Sequence, residues 1–315
     1  MAGQVIGVDV GASKVAVATL RAGALGRPTV EPTSTAGPEA LMDEIAGAVA
    51  AVRTGDTEAV GVGIPAVLEF STGRVKWSAN ARLEDVELRV LLEERLGVPV
   101  FVDNDANCAA LAEAHDDAEP DVRDLVMLTV GTGIGGGLVL GGRVYRGHTG
   151  AAGELGHTLV GALLEHGAPA AGRFPQAGSL EALAAGRALD ALAEAAARAE
   201  PGSALAARLA ESGRVTGRDA VDAALAGDAA ARRLVALVGE RLGVGIANAI
   251  NTFDPEVVAV GGGVSAAGEL LLGPARDSAR RFVVPGVGER TVIRVSRYGA
   301  DAGVRGAALL ARQEL

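Results

Sequence analysis

The chain has 315 residues and one cysteine, Cys108. No internal disulfide can form, so the fold is not a stapled secreted scaffold, and a cytoplasmic location is expected. Aromatic residues make up only 3% of the chain. A core of packed rings is excluded, and Val, Leu, Ile and Ala must fill it instead. Long basic runs are missing, and the formal net charge is -10. Nucleic acid and anionic membrane surfaces are therefore not expected partners. No run reaches the ~18 apolar residues of a membrane span. Asp9 and Lys14 interrupt the first apolar stretch, so no signal peptide is expected. The chain also lacks G-x-x-x-x-G-K-[ST] and the protein-kinase signature set, which excludes a P-loop or a protein-kinase site.

What is present is a large apolar fraction, 49%, with 22% charged residues and 45 glycines. That composition buries a substantial core, and the length allows one large or two ordinary domains. "VIGVDVGASKVAVATL" (Val5 to Leu20) reads as strand, glycine turn, strand. Pro38 to Val52 reads as a helix with Pro at its start. Glu84 to Gly97 has helical spacing with a Gly stop. Val98 to Val102 is a short strand running into a helix. Leu180 to Ala199 reads as one helix capped by Ser179, and helical pattern resumes from about Gly217 to Asn251. "MLTVGTGIGGGLVL" repeats the strand, glycine turn, strand pattern of the N-terminus. Two α/β halves, each offering a glycine turn to a shared crevice, are expected. The polar stretch Ala114 to Asp124 is the expected boundary between them.

Gly131, Gly133 and Gly136 fit G-x-G-x-x-G. A dinucleotide turn must enter a helix, because the pyrophosphate sits on the helix N-terminus. Here "LVLGGRVYRG" reads as the return strand of a hairpin. The acidic residue expected about 20 residues on is also unclear. An NAD site is disfavoured. With the third turn Gly261-Gly262-Gly263, the glycines fit one nucleotide held from several sides; backbone N–H groups bind phosphate without net positive charge.

Asp105 stands where a strand turns into a helix. A carboxylate so placed can accept the proton of an attacking hydroxyl, and it can equally serve as an N-cap. Asn104 is a candidate for hydrogen bonding to a polyol or for a turn residue. Asp9, at the end of the first strand, is a candidate metal carboxylate or a turn former.

"IGVDVGASKVAVA", "GIPAVLE", "SAN", "VDNDANCAALAE", "LTVGTGIGGGLVLGG", "GAAGELGH", "VAVGGGVS" and "DAGVRGAALL" occur in the order found in the ROK family of bacterial sugar kinases. The chain resembles that family, glucokinases above all, over almost its whole length. The resemblance implies an α/β, actin-like ATPase (ribonuclease H-like) fold. Two α/β domains would enclose an interdomain cleft: residues 1–117 completed by a C-terminal helix at 301–315, and residues 118–300. It implies ATP and Mg²⁺, with Asp105 as the base and Asp9 holding the metal through water. Gly11, Ala12, Ser13, Lys14, Thr132, Gly133, Gly262 and Gly263 would hold the nucleotide. Asn80, Asn104, Glu154, His157 and Glu181 would contact the sugar together with Asp105. A homodimer is also implied.

ROK kinases commonly carry C-x-C-G-x-x-G-C after the "GH" histidine, for structural zinc. Here "HGAPAAGRFPQAGSLE" keeps His157 and has no cysteine. His148, His157 and His166 lie nine apart, which matches no zinc knuckle, so no structural zinc is expected. Packing by Pro169, Phe174 and Pro175 would hold the loop instead. The expected activity is phosphorylation of a primary hydroxyl of a hexose, glucose by default. Kinases for an N-acetylhexosamine or a sugar-like C7-cyclitol are alternatives, as is a non-catalytic sugar sensor. ROK repressors carry an N-terminal helix-turn-helix, for which no room is expected before the first strand.

Overall fold

The computed structural model describes residues 3–11, 13–34, 37–78, 83–116, 119–165, 167–168 and 170–315. Ala12, Asn80, His166 and Pro169 lie outside the described residues. The chain forms two compact units. One comprises Met1–Met127, Gly137–Gly153 and Arg297–Leu315; the other comprises Leu128–Gly136 and Glu154–Ser296. The junctions expected at 117/118 and 300/301 both lie inside the first unit. The chain crosses instead within strands Leu125–Val130 and Ile134–Leu140, and again after Gly153 and after Ser296. The polar stretch after Ala114 stays with the first unit: Asp121 and Val122 both donate N–H to the Ala114 carbonyl.

In the first unit, strand Gln4–Val10 pairs antiparallel with Lys14–Arg21 and parallel with Thr57–Ile64, which pairs in parallel with Val100–Asn104. Alternation divides the two faces. Ile6, Val8, Val10, Val60, Val62, Ile64, Val100 and Val102 face one core with Leu41, Met42 and Ile45 of helix Pro38–Val52 and with Leu88 and Leu92 of helix Leu88–Leu96. The opposite face carries Gly7 and Gly61, side by side in register. A Cβ on Gly7 would stand 2.0 Å from the Val304 carbonyl, and one on Gly61 would stand 1.8 Å from that of Ala307. The C-terminal helix Ala302–Glu314 therefore lies with its backbone directly on the sheet, which no larger residue at either position allows.

In the second unit, the parallel pair Val257–Gly261 and Val292–Val295 continues the order from the ends of strands Ile134–Leu140 and Leu125–Val130. Helix Ala229–Phe253 is long and apolar enough to cross a membrane by composition, and more than half of that apolar window is buried. It packs along helix Glu269–Phe282 through glycines: a Cβ on Gly239 or Gly243 would lie 2.3 Å from the carbonyls of Leu271 and Ala275.

Three helix expectations are corrected. Leu83–Val86 is a strand paired with Arg74–Ser78, so the helix begins at Leu88. Its stop at Gly97, left-handed with φ 65°, is as expected. The helix from Leu180 breaks at Ala185, because the Gly186 N–H is drawn to the Gly131 carbonyl at 2.7 Å. The run from Gly217 breaks after Leu225, where Gly227 takes φ 102° and Asp228 caps a new helix on Ala231 N–H.

Candidate active site

The sheet face that bears Gly7 also bears Asp9, two residues on. Its register partner Gly63 has no side chain, and the start of helix Asp105–Glu113 enters that space. A Cβ on Gly63 would stand 3.6 Å from Asp105 Cα and 3.1 Å from Cys108 Sγ. Strand alternation and one glycine thus bring two carboxylates together. Burial pushes the Asp9 carboxyl up to about 7, the Asp105 charge adds to the rise, and Lys14 opposes it. Gly303, in the first turn of the C-terminal helix, leaves room for Asp9: a Cβ there would sit 2.6 Å from its carboxylate. A carboxylate at a strand end suits a hard cation such as Mg²⁺, which would restore the ionised form of Asp9.

The N-cap of helix Asp105–Glu113 is Asn104, not Asp105. Asn104 Oδ1 accepts from the N–H groups of Ala106 at 2.8 Å and Asn107 at 3.3 Å, and its Nδ2 donates to the Ala66 carbonyl at 3.3 Å. Asp105 is the first helical residue, half-buried, with Oδ1 2.9 Å from its neighbour's N–H. The capping alternative for Asp105 is thereby removed, since the adjacent amide does that work. Two glycines clamp this helix. A Cβ on Gly137 would meet the Ala106 carbonyl at 2.3 Å, and one on Gly306 the Cys108 carbonyl at 1.6 Å. Nearby, the Gly11 N–H donates to the Lys14 carbonyl at 2.8 Å, closing a hairpin on which Ser13 and Lys14 are exposed.

The second unit gathers the other candidates. Gly131 N–H donates to the Gly133 carbonyl at 2.9 Å, making the tight turn that exposes Thr132. A strand follows it, Ile134–Leu140, as the hairpin reading requires and a dinucleotide turn does not allow. Glu181 Oε2 accepts the Ile134 N–H at 2.7 Å, and a Cβ on Gly133 would lie 2.4 Å from that oxygen. The turn Leu155–His157 packs on the same place, since a Cβ on Gly156 would meet the Ile134 carbonyl at 2.1 Å. His157 Nε2 lies 3.7 Å from Glu154 Oε2, and its ring meets that of Phe174 edge-on at 5.2 Å. Leu180 N–H donates to the Thr158 carbonyl at 2.9 Å, joining the His157 segment to the Glu181 helix. Glu154, His157, Glu181 and the Thr132–Gly133 turn are thus one cluster. Gly262, with φ 83°, lies against the backbone of Val130, where a Cβ would come within 2.5 Å. Gly263 opens into free space.

Among the described residues, no group of three or more His, Cys, Asp or Glu side chains is placed to hold a metal ion. The sequence reading missed Gly303, Asp103 and the pairing of Phe174 with His157. The first is visible only once the C-terminal helix lies on the sheet. The "DND" repeat of acidic residues was the available signal for the second.

The chain matches the model of the ROK family over residues 5–314. The glucokinase of Halalkalibacterium halodurans is 35% identical over 317 residues, 98% of this chain and 95% of its own. A ROK family glucokinase from Streptomyces griseus, crystallised in complex with glucose and AMPPNP, superposes with TM-score 0.81 at 35% identity, covering 99% of this chain and 100% of that one. The ROK hexokinase from Thermus thermophilus gives TM-score 0.74 at 37% identity, covering 99% and 98%.

Proposed function

Because the chain belongs to the ROK family of proteins, we infer that it catalyses ATP-dependent phosphorylation of a hexose, with glucose the default acceptor. Relatives named glucokinase and hexokinase, and the relative crystallised with glucose and AMPPNP, support this reading. The fold is the actin-like ATPase fold of those sugar kinases.

The observation that carries the chemistry is the position of Asp105: first in its helix, relieved of capping by Asn104, beside Asp9. A primary hydroxyl oxygen attacks the γ-phosphorus and its proton passes to the Asp105 carboxylate. The bond from phosphorus to the bridging oxygen breaks, and its electron pair leaves with ADP. A positioned base of this kind contributes about 10²–10⁴-fold. The helix N-terminus favours the ionised base. Asp9 is the residue suited to hold Mg²⁺, directly or through water; when bound, Mg²⁺ offsets the charge of the phosphates. Gly11, Ser13 and Lys14 on one hairpin, and Thr132 and Gly133 on the other, would face phosphates, with Gly262 and Gly263 at the adenosine. Asn104, Glu154, His157 and Glu181 would hydrogen-bond the sugar; the family resemblance adds Asn80 at the sugar and Ala12 at the nucleotide, both outside the described residues. We also propose a homodimer in the cytoplasm; the sole, buried cysteine is compatible with a reducing compartment.

The test is ADP release with glucose, other hexoses, N-acetylhexosamines and C7-cyclitols, followed by NMR of the product. Glucose 6-phosphate is expected. Turnover confined to a cyclitol or hexosamine would replace the acceptor and keep the chemistry. Binding of a sugar with no ADP release from any of them would favour a sensor.

A further inference from the structure

We infer that Arg146 is a positioning residue for the catalytic turn, acting through Asp103; this rests on the reading of Asp105 as the base. Arg146 Nε donates to Asp103 Oδ2 at 2.7 Å, and the two side chains are only 16% and 2% exposed. The other oxygen, Oδ1, accepts the Asn104 N–H at 2.7 Å and the Asn107 side-chain amide at 2.9 Å. One buried carboxylate therefore grips the residue before Asp105 and the one two after it. The Arg146 guanidinium in turn lies 3.4 Å from the Phe70 ring centroid, and its Nη2 stands 3.8 Å from Glu314. Its backbone carbonyl accepts the Ala152 N–H at 3.0 Å, closing the loop that leads to Glu154.

A polar group this buried depends on its hydrogen-bond partners for its orientation. Without the guanidinium, Asp103 Oδ2 loses the donor that orients the carboxylate, and the amides held by Oδ1 loosen with it. Lysine is a poor replacement, because it keeps a charge but cannot lie flat on Phe70 while donating sideways. The effect reaches Asp105 through the geometry of Asn104 and the first helical turn.

The experiment compares the parent enzyme with Arg146→Lys, Arg146→Met and Asp103→Asn, each well below its melting temperature. The expected loss in kcat is about 10-fold for Arg146→Lys and about 10²-fold for Arg146→Met, with KM for ATP unchanged. Amide exchange at Asn104, Ala106 and Asn107 should quicken in the same order while the rest of the first unit keeps its protection. Arg146→Met combined with Asp103→Asn should lose less than the two single losses multiplied, because both cut one link. Where Arg146→Met does not fold, Arg146→Lys carries the comparison. Parental kcat and parental exchange in the variants would overturn the inference, as would a uniform rise in exchange across the unit. If the parent itself phosphorylates no sugar, the reading of Asp105 fails, and the exchange data alone still decide whether Arg146 holds the turn.

Discussion

Gly306 meets Cys108 backbone to backbone: a Cβ on the glycine would stand 1.6 Å from the cysteine's carbonyl oxygen. The C-terminal helix and the helix that begins at Asp105 touch here without a side-chain layer. No rotamer change relieves such a clash, because the obstacle is main chain. Gly306→Ala must push the helices apart and disturb the contacts of Gly7 and Gly61 with the same C-terminal helix. A loss of about 3 kcal/mol or more is expected, the upper end of overpacking costs. Urea denaturation measures it; a variant within about 0.5 kcal/mol of the parent, the range of ordinary surface changes, would refute the close approach.

The division of labour at the turn predicts a crossed pair of phenotypes. Asn104 accepts two helix N–H groups, so Asn104→Ala should cost about 1 kcal/mol of stability, the usual worth of a cap. Asp105→Asn removes no such cap and should leave the melting temperature near that of the parent. Its turnover should instead fall by about 10²–10⁴-fold. Thermal unfolding and initial rates on the two proteins decide the matter. A strongly destabilised Asp105→Asn with near-parental turnover at low temperature would make Asp105 a structural residue.

These contrasts also explain what could be read in advance. The strand, glycine turn, strand pattern stood out because alternation and glycine punctuation are local signals, and both hairpins formed. Ser179, Pro38 and Gly97 marked helix ends for the same reason. The break at Ala185 left no local trace: it exists because Gly186 answers to Gly131, 55 positions earlier. Glu84 to Val86 had helical spacing, yet the pairing of Leu83–Val86 with Arg74–Ser78 overrode it. At the site, Asp9, Asn104 and Asp105 were legible as polar residues at strand ends. Their arrangement was not, because it depends on Gly63 and Gly303, whose importance is that they contribute no atoms to the space.

Glu181 offers a separate test in the second unit. Its carboxylate fixes the Ile134 N–H, and hence the Thr132–Gly133 turn proposed to face phosphate. Glu181→Ala should therefore raise KM for ATP as well as for the sugar, whereas a residue touching only sugar would raise the latter alone. A hydrogen bond to a charged group contributes about 1.5–3 kcal/mol, so the rise should be about 10-fold or greater. Glu181→Gln retains an acceptor for Ile134 and should recover much of the ATP effect. Steady-state kinetics with each substrate varied in turn measures both constants, and an unchanged KM for ATP in Glu181→Ala would separate the carboxylate from the glycine turn.

Asp9 predicts an unusual dependence of stability on pH. Its carboxyl is raised from 3.8 to about 7, chiefly by burial and then by the charge of Asp105. Between those values the folded chain holds a proton that the unfolded chain has released. Without Mg²⁺ and nucleotide, the contribution of Asp9 to stability is therefore fully present below about pH 4 and is lost as pH rises towards 7, by at most ~1.4 kcal/mol per unit. Asp9→Asn has no such proton to lose. The difference in melting temperature between variant and parent should grow in the variant's favour from pH 5 to pH 8. Mg²⁺ stabilises the ionised carboxylate, so its addition should raise the melting temperature of the parent more at pH 8 than at pH 5, and leave Asp9→Asn nearly unmoved. Calorimetric scans of the two proteins across this range supply the test: curves that stay parallel would mean that Asp9 is ionised throughout and that its neighbours do not repel the charge.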